Sequence, residues 1–164
     1  MSAGVPGLRV GVGFDVHPFA DDPSRPLVLG GVTLPGERGL AGHSDADVVA
    51  HALADALLGA VGLGDIGQHF PDRDPAWRGA DSMALLAAVA AMIAGERWRL
   101  VNADCSVVLE APRLAPHLTA MAGNLGAAAG GPVSVKATRA EGLGALGRTE
   151  GAACFATALV QETP

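Results

Sequence analysis

Leu8-Arg-Val-Gly-Val-Gly-Phe-Asp-Val-His17 is the stretch from which the fold of this chain is read. Val10, Val12 and Val16 alternate with Gly11, Gly13 and Asp15, the period of an extended strand, and Pro18 closes it. Side chains two apart on a strand point to the same face, so Asp15 and His17 are placed to converge on one ion. His51, on a predicted helix, supplies a second imidazole. One carboxylate and two imidazoles are a zinc-type ligand set that leaves a fourth position open, as catalytic sites do and structural sites usually do not. Spacing alone keeps a second reading open, because a strand-end Asp-x-His and a helical His among acids also describe a solvated polar face.

Downstream, Pro26-Leu-Val-Leu-Gly-Gly-Val-Thr-Leu-Pro35 predicts a short hairpin turning at Gly30 and Gly31. Gly36 to Gly42 then reads as a mobile loop beside the ligand strand, a lid candidate. Ser44 is the expected N-cap of a helix reaching about Val61, with Asp45 and Asp47 favouring its dipole. Asp47, His51 and Asp55 recur every fourth residue as one polar stripe, and Val48, Ala52, Leu53, Ala56 and Leu57 fill apolar positions. A turn-rich connection leads to an Ala/Leu/Met-rich helix from about Asp81 to Gly95, expected to be largely buried or interfacial. Leu100–Glu110 and Val133–Thr138 read as strands, Pro116–Ala129 as a short helix, and Gly151–Gln161 as a final strand. The expected fold class is α+β, a mixed four-stranded sheet with helices packed on one face plus a small hairpin. Residues 8–164 form a single domain in this reading, behind a flexible N-terminal tail at 1–7.

The chain has 164 residues, enough to bury a core without disulfide or metal staples. Its 11 basic and 17 acidic residues leave a net charge of −6 with no Lys/Arg cluster, which argues against nucleic acid as a partner. An acidic protein that handles a polyanionic substrate needs bound cations to offset repulsion. Cys105 and Cys154 lie in apolar runs without C-x-x-C spacing and read as buried thiols in a reducing, cytoplasmic setting. The uncharged run Met83–Gly95 falls short of the roughly 20 residues of a membrane span. Met1–Gly7 lacks the pattern of a secretory signal.

Other constellations are ambiguous on their residues alone. His43 stands just outside the predicted helix and is explained equally well as part of its entry. Gly64-Asp-Ile-Gly67 is either backbone punctuation or a place where amides approach an anionic or polyol ligand. Lys136-Ala-Thr138 with Glu141 reads either as a solvated strand edge or as a phosphate and metal contact.

Taken in order, Gly13-Phe-Asp-Val-His17, Gly42-His-Ser-Asp-Ala-Asp47, His51-Ala-Leu-Ala-Asp-Ala-Leu-Leu-Gly59, Gly64-Asp-Ile-Gly67, Phe70-Pro-Asp-Arg-Asp-Pro75 and Gly147-Arg-Thr-Glu-Gly151 resemble the 2-C-methyl-D-erythritol 2,4-cyclodiphosphate synthase family. The resemblance spans about residues 8 to 161. It implies conversion of 4-diphosphocytidyl-2-C-methyl-D-erythritol 2-phosphate into the cyclic diphosphate with release of CMP, a phosphorus-oxygen lyase step of non-mevalonate isoprenoid biosynthesis.

By position the resemblance assigns Zn²⁺ to Asp15, His17 and His51, and a second ion, Mg²⁺ or Mn²⁺, to Glu141. It implies substrate contacts from His43 and Ser44, a methylerythritol side lined by Asp65, Ile66, Gly67 and Phe70 to Asp74, and a cytidine pocket at Leu109–Ala115 and Ala137–Thr138. Within that pocket Ala111, Pro112, Arg113 and Leu114 offer backbone groups and one base. Catalysis falls to His43, Thr138 and Arg139, mostly by positioning and charge stabilisation, since an ionised phosphate is the nucleophile. The family is a homotrimer with active sites between subunits, and an apolar fraction of 49% is compatible with large buried interfaces. Arg148 resembles the arginine ring that in some relatives binds isoprenoid diphosphates at a central cavity.

Two residues depart from the family pattern. Lys136-Ala-Thr-Arg-Ala-Glu141 carries Arg139 where a second threonine is usual, so the guanidinium either serves the same phosphate oxygens or swings away. Ala145 stands where an aromatic residue is common and enlarges the apolar cavity. These departures motivate an alternative function: a weakened paralogue that binds cytidine or isoprenoid diphosphates. A generic zinc phosphohydrolase, releasing free phosphate, is a further alternative.

Overall fold

Two glycines let a helix lie directly on the first strand. The computed structural model describes residues 7–164, and in it α1 (Val48–Val61) rests on β1 (Leu8–Pro18). A Cβ at Gly11 would stand 1.9 Å from the Ala56 carbonyl oxygen, and one at Gly13 1.8 Å from that of Ala52. No side chain larger than hydrogen permits that approach. Strand alternation then turns Asp15 and His17 toward the helix side, while Val10, Val12, Phe14 and Val16 project, half exposed or more, from the other. Of the expected tail at 1–7, all but Gly7 lies outside the described residues.

β2 (Leu27–Leu29) and β3 (Val32–Leu34) make the hairpin. β1 pairs antiparallel with the last strand, β6 (Gly151–Glu162), which pairs antiparallel with β4 (Trp98–Val108); β4 then pairs parallel with β5 (Val133–Thr138). The order β1-β6-β4-β5 is the mixed four-stranded sheet expected from the sequence. α3 (Ser82–Gly95) and α4 (Leu118–Ala129) join α1 over one face, the crossover from β4 to β5 running through α4. Single helical turns, α2 (Ile66–His69) and α5 (Gly144–Gly147), complete the fold.

Contacts made across the fold change four expectations. The N-cap of α1 is Asp47, not Ser44: its Oδ1 accepts the Val49 and Ala50 amides at 3.0 and 3.2 Å. The same carboxylate accepts the Gly30 and Gly31 amides at 2.9 and 2.8 Å, so it clamps the hairpin turn to the helix from a fully buried position. Burial raises its pKa above the ordinary carboxylate value, against the pull of these amides. The polar stripe therefore dissolves into three separate jobs: Asp47 inside, His51 toward the site, and Asp55 accepting the Ile66 amide at 2.7 Å. α1 is buried nearly all round because sheet, hairpin and α3 enclose it. By contrast α3 buries only one side, through Leu85, Leu86, Val89 and Ile93, and shows solvent the small side chains Ala84, Ala87 and Ala91. Finally, the 36–42 segment is strapped to the end of β1 by Ala20 N–H to Gly39 O and Ala41 N–H to Pro18 O, both 2.8 Å, rather than hanging free as a lid.

Candidate active site

Asp15, His17 and His51 meet at the C-terminal end of β1. Asp15 Oδ2 lies 3.1 Å from His17 Nε2 and 3.1 Å from His51 Nδ1. The opposite ring nitrogens are already committed. His17 Nδ1 donates to the Ala41 carbonyl at 2.7 Å, which is why the strapped 39–41 segment matters. His51 Nε2 reaches Ser82 Oγ at 2.8 Å and Ser44 Oγ at 3.2 Å, and Ser82 Oγ in turn donates a hydrogen bond to Asp45. With those nitrogens engaged, each ring turns its other nitrogen toward the same carboxylate oxygen. Three electron-pair donors within 4.8 Å of one another form a set able to hold a metal ion. Two imidazoles, one carboxylate and fixed tautomers fit zinc among the common ions. Burial works against the charge of Asp15, but the hydrogen bonds and charges of His17 and His51 hold its carboxyl well below the usual range. His17 is shifted upward: burial opposes its protonation, and the Asp15 hydrogen bond and charge outweigh it.

The triad opens into a cavity of about 340 Å³ lined also by His43, Ser44, Ile66, Gly67 and Phe70. Asp65 and Asp74, expected as ligand contacts, do not line it. Each is a cap: Asp65 accepts the Gln68 amide at 3.0 Å to start α2, and Asp74 accepts that of Ala76 at 2.9 Å. Asp74 still acts on the site through its carbonyl, 3.2 Å from His43 Nε2. Trp77 and Leu85 line the cavity too and were not anticipated; Trp77 packs edge-on against Phe70, centroids 5.0 Å apart. Aromatic content near a turn is too weak a signal to find such a residue from sequence.

A second cavity, about 210 Å³, lies at the ends of β4 and β5. Leu109, Pro112, Arg113, Leu114, Ala115, Ala137, Thr138 and Arg139 line it as expected, and Glu110 and Leu118 join them. Ala111 faces a neighbouring hollow instead. Glu141 stands apart from the triad on the loop after β5, at a left-handed φ of 55°. Ala145 lies in α5, and Arg148 pairs with Glu150 at 2.6 Å on the surface. Register fixes the distance between the two cavities' edges. His17 pairs with Ala152, Ala153 with Val108 and Val108 with Thr138, so triad and loop share one end of the sheet but sit on opposite edges, three strand spacings or about 14 Å apart.

The model of the YgbB family matches residues 8–161, nearly the whole chain and every element described above. This chain belongs to the YgbB family. Members of the family named 2-C-methyl-D-erythritol 2,4-cyclodiphosphate synthase include one from Symbiobacterium thermophilum, 54% identical over 156 residues and covering 93% of this chain and 98% of the relative. Another, from Geobacillus kaustophilus, is 52% identical, covering 95% and 99%. Among solved structures the bifunctional IspDF from Campylobacter jejuni matches with a TM-score of 0.90 and 39% identity, covering 96% of this chain and 43% of that one. A 2C-methyl-D-erythritol-2,4-cyclodiphosphate synthase in its CDP-bound form matches at 0.83 and 35% identity, covering 93% and 99%. The Plasmodium falciparum IspF–CDP complex matches at 0.82 and 28%, covering 96% and 98%. The YgbB fold is therefore shared with two CDP complexes.

Proposed function

We infer that this YgbB-family chain is a 2-C-methyl-D-erythritol 2,4-cyclodiphosphate synthase of isoprenoid biosynthesis, a CMP-forming phosphorus-oxygen lyase. The observation that carries the reading is the Asp15–His17–His51 donor set, opening into a cavity, in a chain over half identical to synthases along nearly its full length. In the reaction an oxygen of the substrate's 2-phosphate attacks the β-phosphorus and the bond from that phosphorus to the bridging oxygen breaks, so CMP leaves with the electron pair. The nucleophile is already ionised, and the protein need only align it and absorb charge.

Asp15, His17 and His51 are the residues that hold zinc in this proposal; when bound, the ion polarises a diphosphate oxygen as a Lewis acid. The Ala41 carbonyl and the Ser82–Asp45 relay fix the imidazoles' tautomers and so orient that donor set. Arg25 donates to the Leu40 and Ser44 carbonyls and steadies the backbone that presents His43 and Ser44 to substrate. Ile66, Gly67 and Phe70 exclude water on the methylerythritol side. Leu109, Pro112, Arg113, Leu114 and Ala115 receive cytidine, with Ala137 and Thr138 closing the pocket. Glu141 would hold a Mg²⁺ or Mn²⁺ ion, which would supply positive charge to offset that of the diphosphate. Asp65 and Asp74 serve the site by capping the turns that shape it.

The assembly we propose is a homotrimer. Among the described residues nothing covers the apolar sheet face made by Val10, Val12, Phe14, Val16 and Phe155, and two further copies of the chain are its natural cover. Separation of triad and cytidine cavity to opposite sheet edges fits sites completed between neighbours. Arg148 and Ala145 then belong near the threefold axis, where three guanidinium groups suit a diphosphate. Free, buried Cys105 and Cys154 on paired strands fit a reducing cytoplasm, and among the described residues no helix is long and apolar enough to cross a membrane.

Purified protein given the cytidyl substrate with Zn²⁺ and Mg²⁺ is expected to release CMP and a cyclic diphosphate, followed by phosphorus NMR. Release of free phosphate instead, or no turnover from folded, zinc-loaded trimer, would overturn the assignment.

A further inference from the structure

The sequence left two roles for Arg139, a donor to the transferring phosphate or a side chain swung clear. The structure offers a third. Arg139 Nη2 donates to Glu110 Oε1 at 3.0 Å and Nε reaches the same oxygen at 3.3 Å, while the other oxygen, Oε2, accepts the Ala140 amide at 3.0 Å. Glu110 leaves only 13% of its side chain to solvent, against 64% for Arg139, so the carboxylate is the fixed member of the pair. The bonded guanidinium lowers the Glu110 pKa and keeps it ionised.

The Ala140 amide opens a tight turn. Glu141 and Gly142 follow at φ 55° and 74°, and the Leu143 amide donates to the Ala140 carbonyl at 3.0 Å, which is a type I′ arrangement. Glu141 is a poor residue for the first central position of that turn, since its Cβ crowds the backbone at positive φ. Something outside the turn must hold it. Glu110 grips the turn's first amide and the side chain just before it, while Leu109 N–H to Thr138 O at 3.0 Å ties the same two segments one step earlier.

We propose that Glu110 and Arg139 form a single positioning unit, in which Arg139 is engaged by Glu110 and the pair sets the turn that presents Thr138 and Glu141 to the diphosphate. The inference rests on the synthase reading for its substrate, but not for its geometry. Arg139 is then a positioning residue. Its charge is matched by Glu110, so the loop carries the same net charge as it would with neutral residues at both places.

The test is a double-mutant cycle of Glu110→Gln, Arg139→Thr and the double variant. Arg139→Thr alone leaves an unmatched carboxylate on the cavity wall and takes one partner from the turn; KM should rise about tenfold, more at low salt, and kcat should fall. Glu110→Gln alone frees a guanidinium beside Glu141 and loosens Ala140, so kcat should fall. The double variant should lose less than the product of the single losses, since neither charge is then unmatched, and Arg139→Lys, which keeps the charge without the fork, should retain KM. Multiplying losses in the double variant, or an equal kcat loss on removing Arg139 with or without Glu110, would overturn the pair and restore the phosphate-donor role. Hydrogen exchange of the Ala140 amide decides the geometry separately: it should quicken in Glu110→Gln, and an unchanged rate would overturn the proposal. If wild-type enzyme released no CMP, the synthase reading would fail while this exchange result still judged the clamp.

Discussion

The two edges of the sheet hold their chemistry by different means. At β1 the donor set is fixed from behind by buried groups: glycines that admit α1, a carbonyl on His17, hydroxyls on His51. Beyond β5 the loop is held by charges near the surface, Glu110 to Arg139 and Arg148 to Glu150, with more than half of either arginine side chain open to solvent. Buried hydrogen bonds tolerate few alternatives because an orphaned partner pays its full desolvation cost, whereas exposed ion pairs contribute little and trade readily. The first edge is thus where a substitution should cost most, and the second where it should cost least.

Removing a triad member should have the largest effect. His51→Ala is expected to abolish stoichiometric zinc and lower turnover by at least about a thousandfold, read by metal analysis and CMP release, with the circular dichroism unchanged. Normal zinc content would break the claim that this edge is a metal centre. Gly13→Ala should come next, because its methyl group meets the Ala52 carbonyl at 1.8 Å. A loss of about 3 kcal/mol or more is expected in urea unfolding, and an unperturbed protein would mean that α1 does not lie on β1 as described.

Asp47→Ala removes a cap and leaves the Gly30 and Gly31 amides without acceptors. Destabilisation of about 3 kcal/mol is expected, visible in the same unfolding curves. Ser82→Ala sharpens the comparison most finely. It should leave the fold intact and weaken zinc binding about tenfold in competition with a chromophoric chelator, since His51 loses its orienting partner. An affinity equal to wild type would show that Ser44 alone suffices at this edge.

Legibility followed periodicity. The strand Leu8–His17, the hairpin and the final strand were visible because alternation and paired glycines are local signals, and Asp15 and His17 came with them. Ser44 reads as the cap because a serine before a helical run satisfies the local rule, while Asp47 wins through two hairpin amides seventeen and sixteen residues away. The roles of Ser82, Asp45 and Trp77 at the site escape the sequence for the same reason. Each matters only through a contact made across the fold, and none belongs to a pattern that spacing reveals.

What the sequence determined by itself is the set of chemical groups and the strand-and-helix order that delivers them, since both depend on residue type and short-range period. Only the tertiary structure decided which atoms of those groups are free to act. A histidine's available nitrogen depends on what holds the other one, and an arginine's charge is open to substrate only if no carboxylate has claimed it. At His17 and His51 the partners are the Ala41 carbonyl and Ser82; at Arg139 the partner is Glu110, twenty-nine residues away in sequence and reached only when β4 and β5 lie side by side.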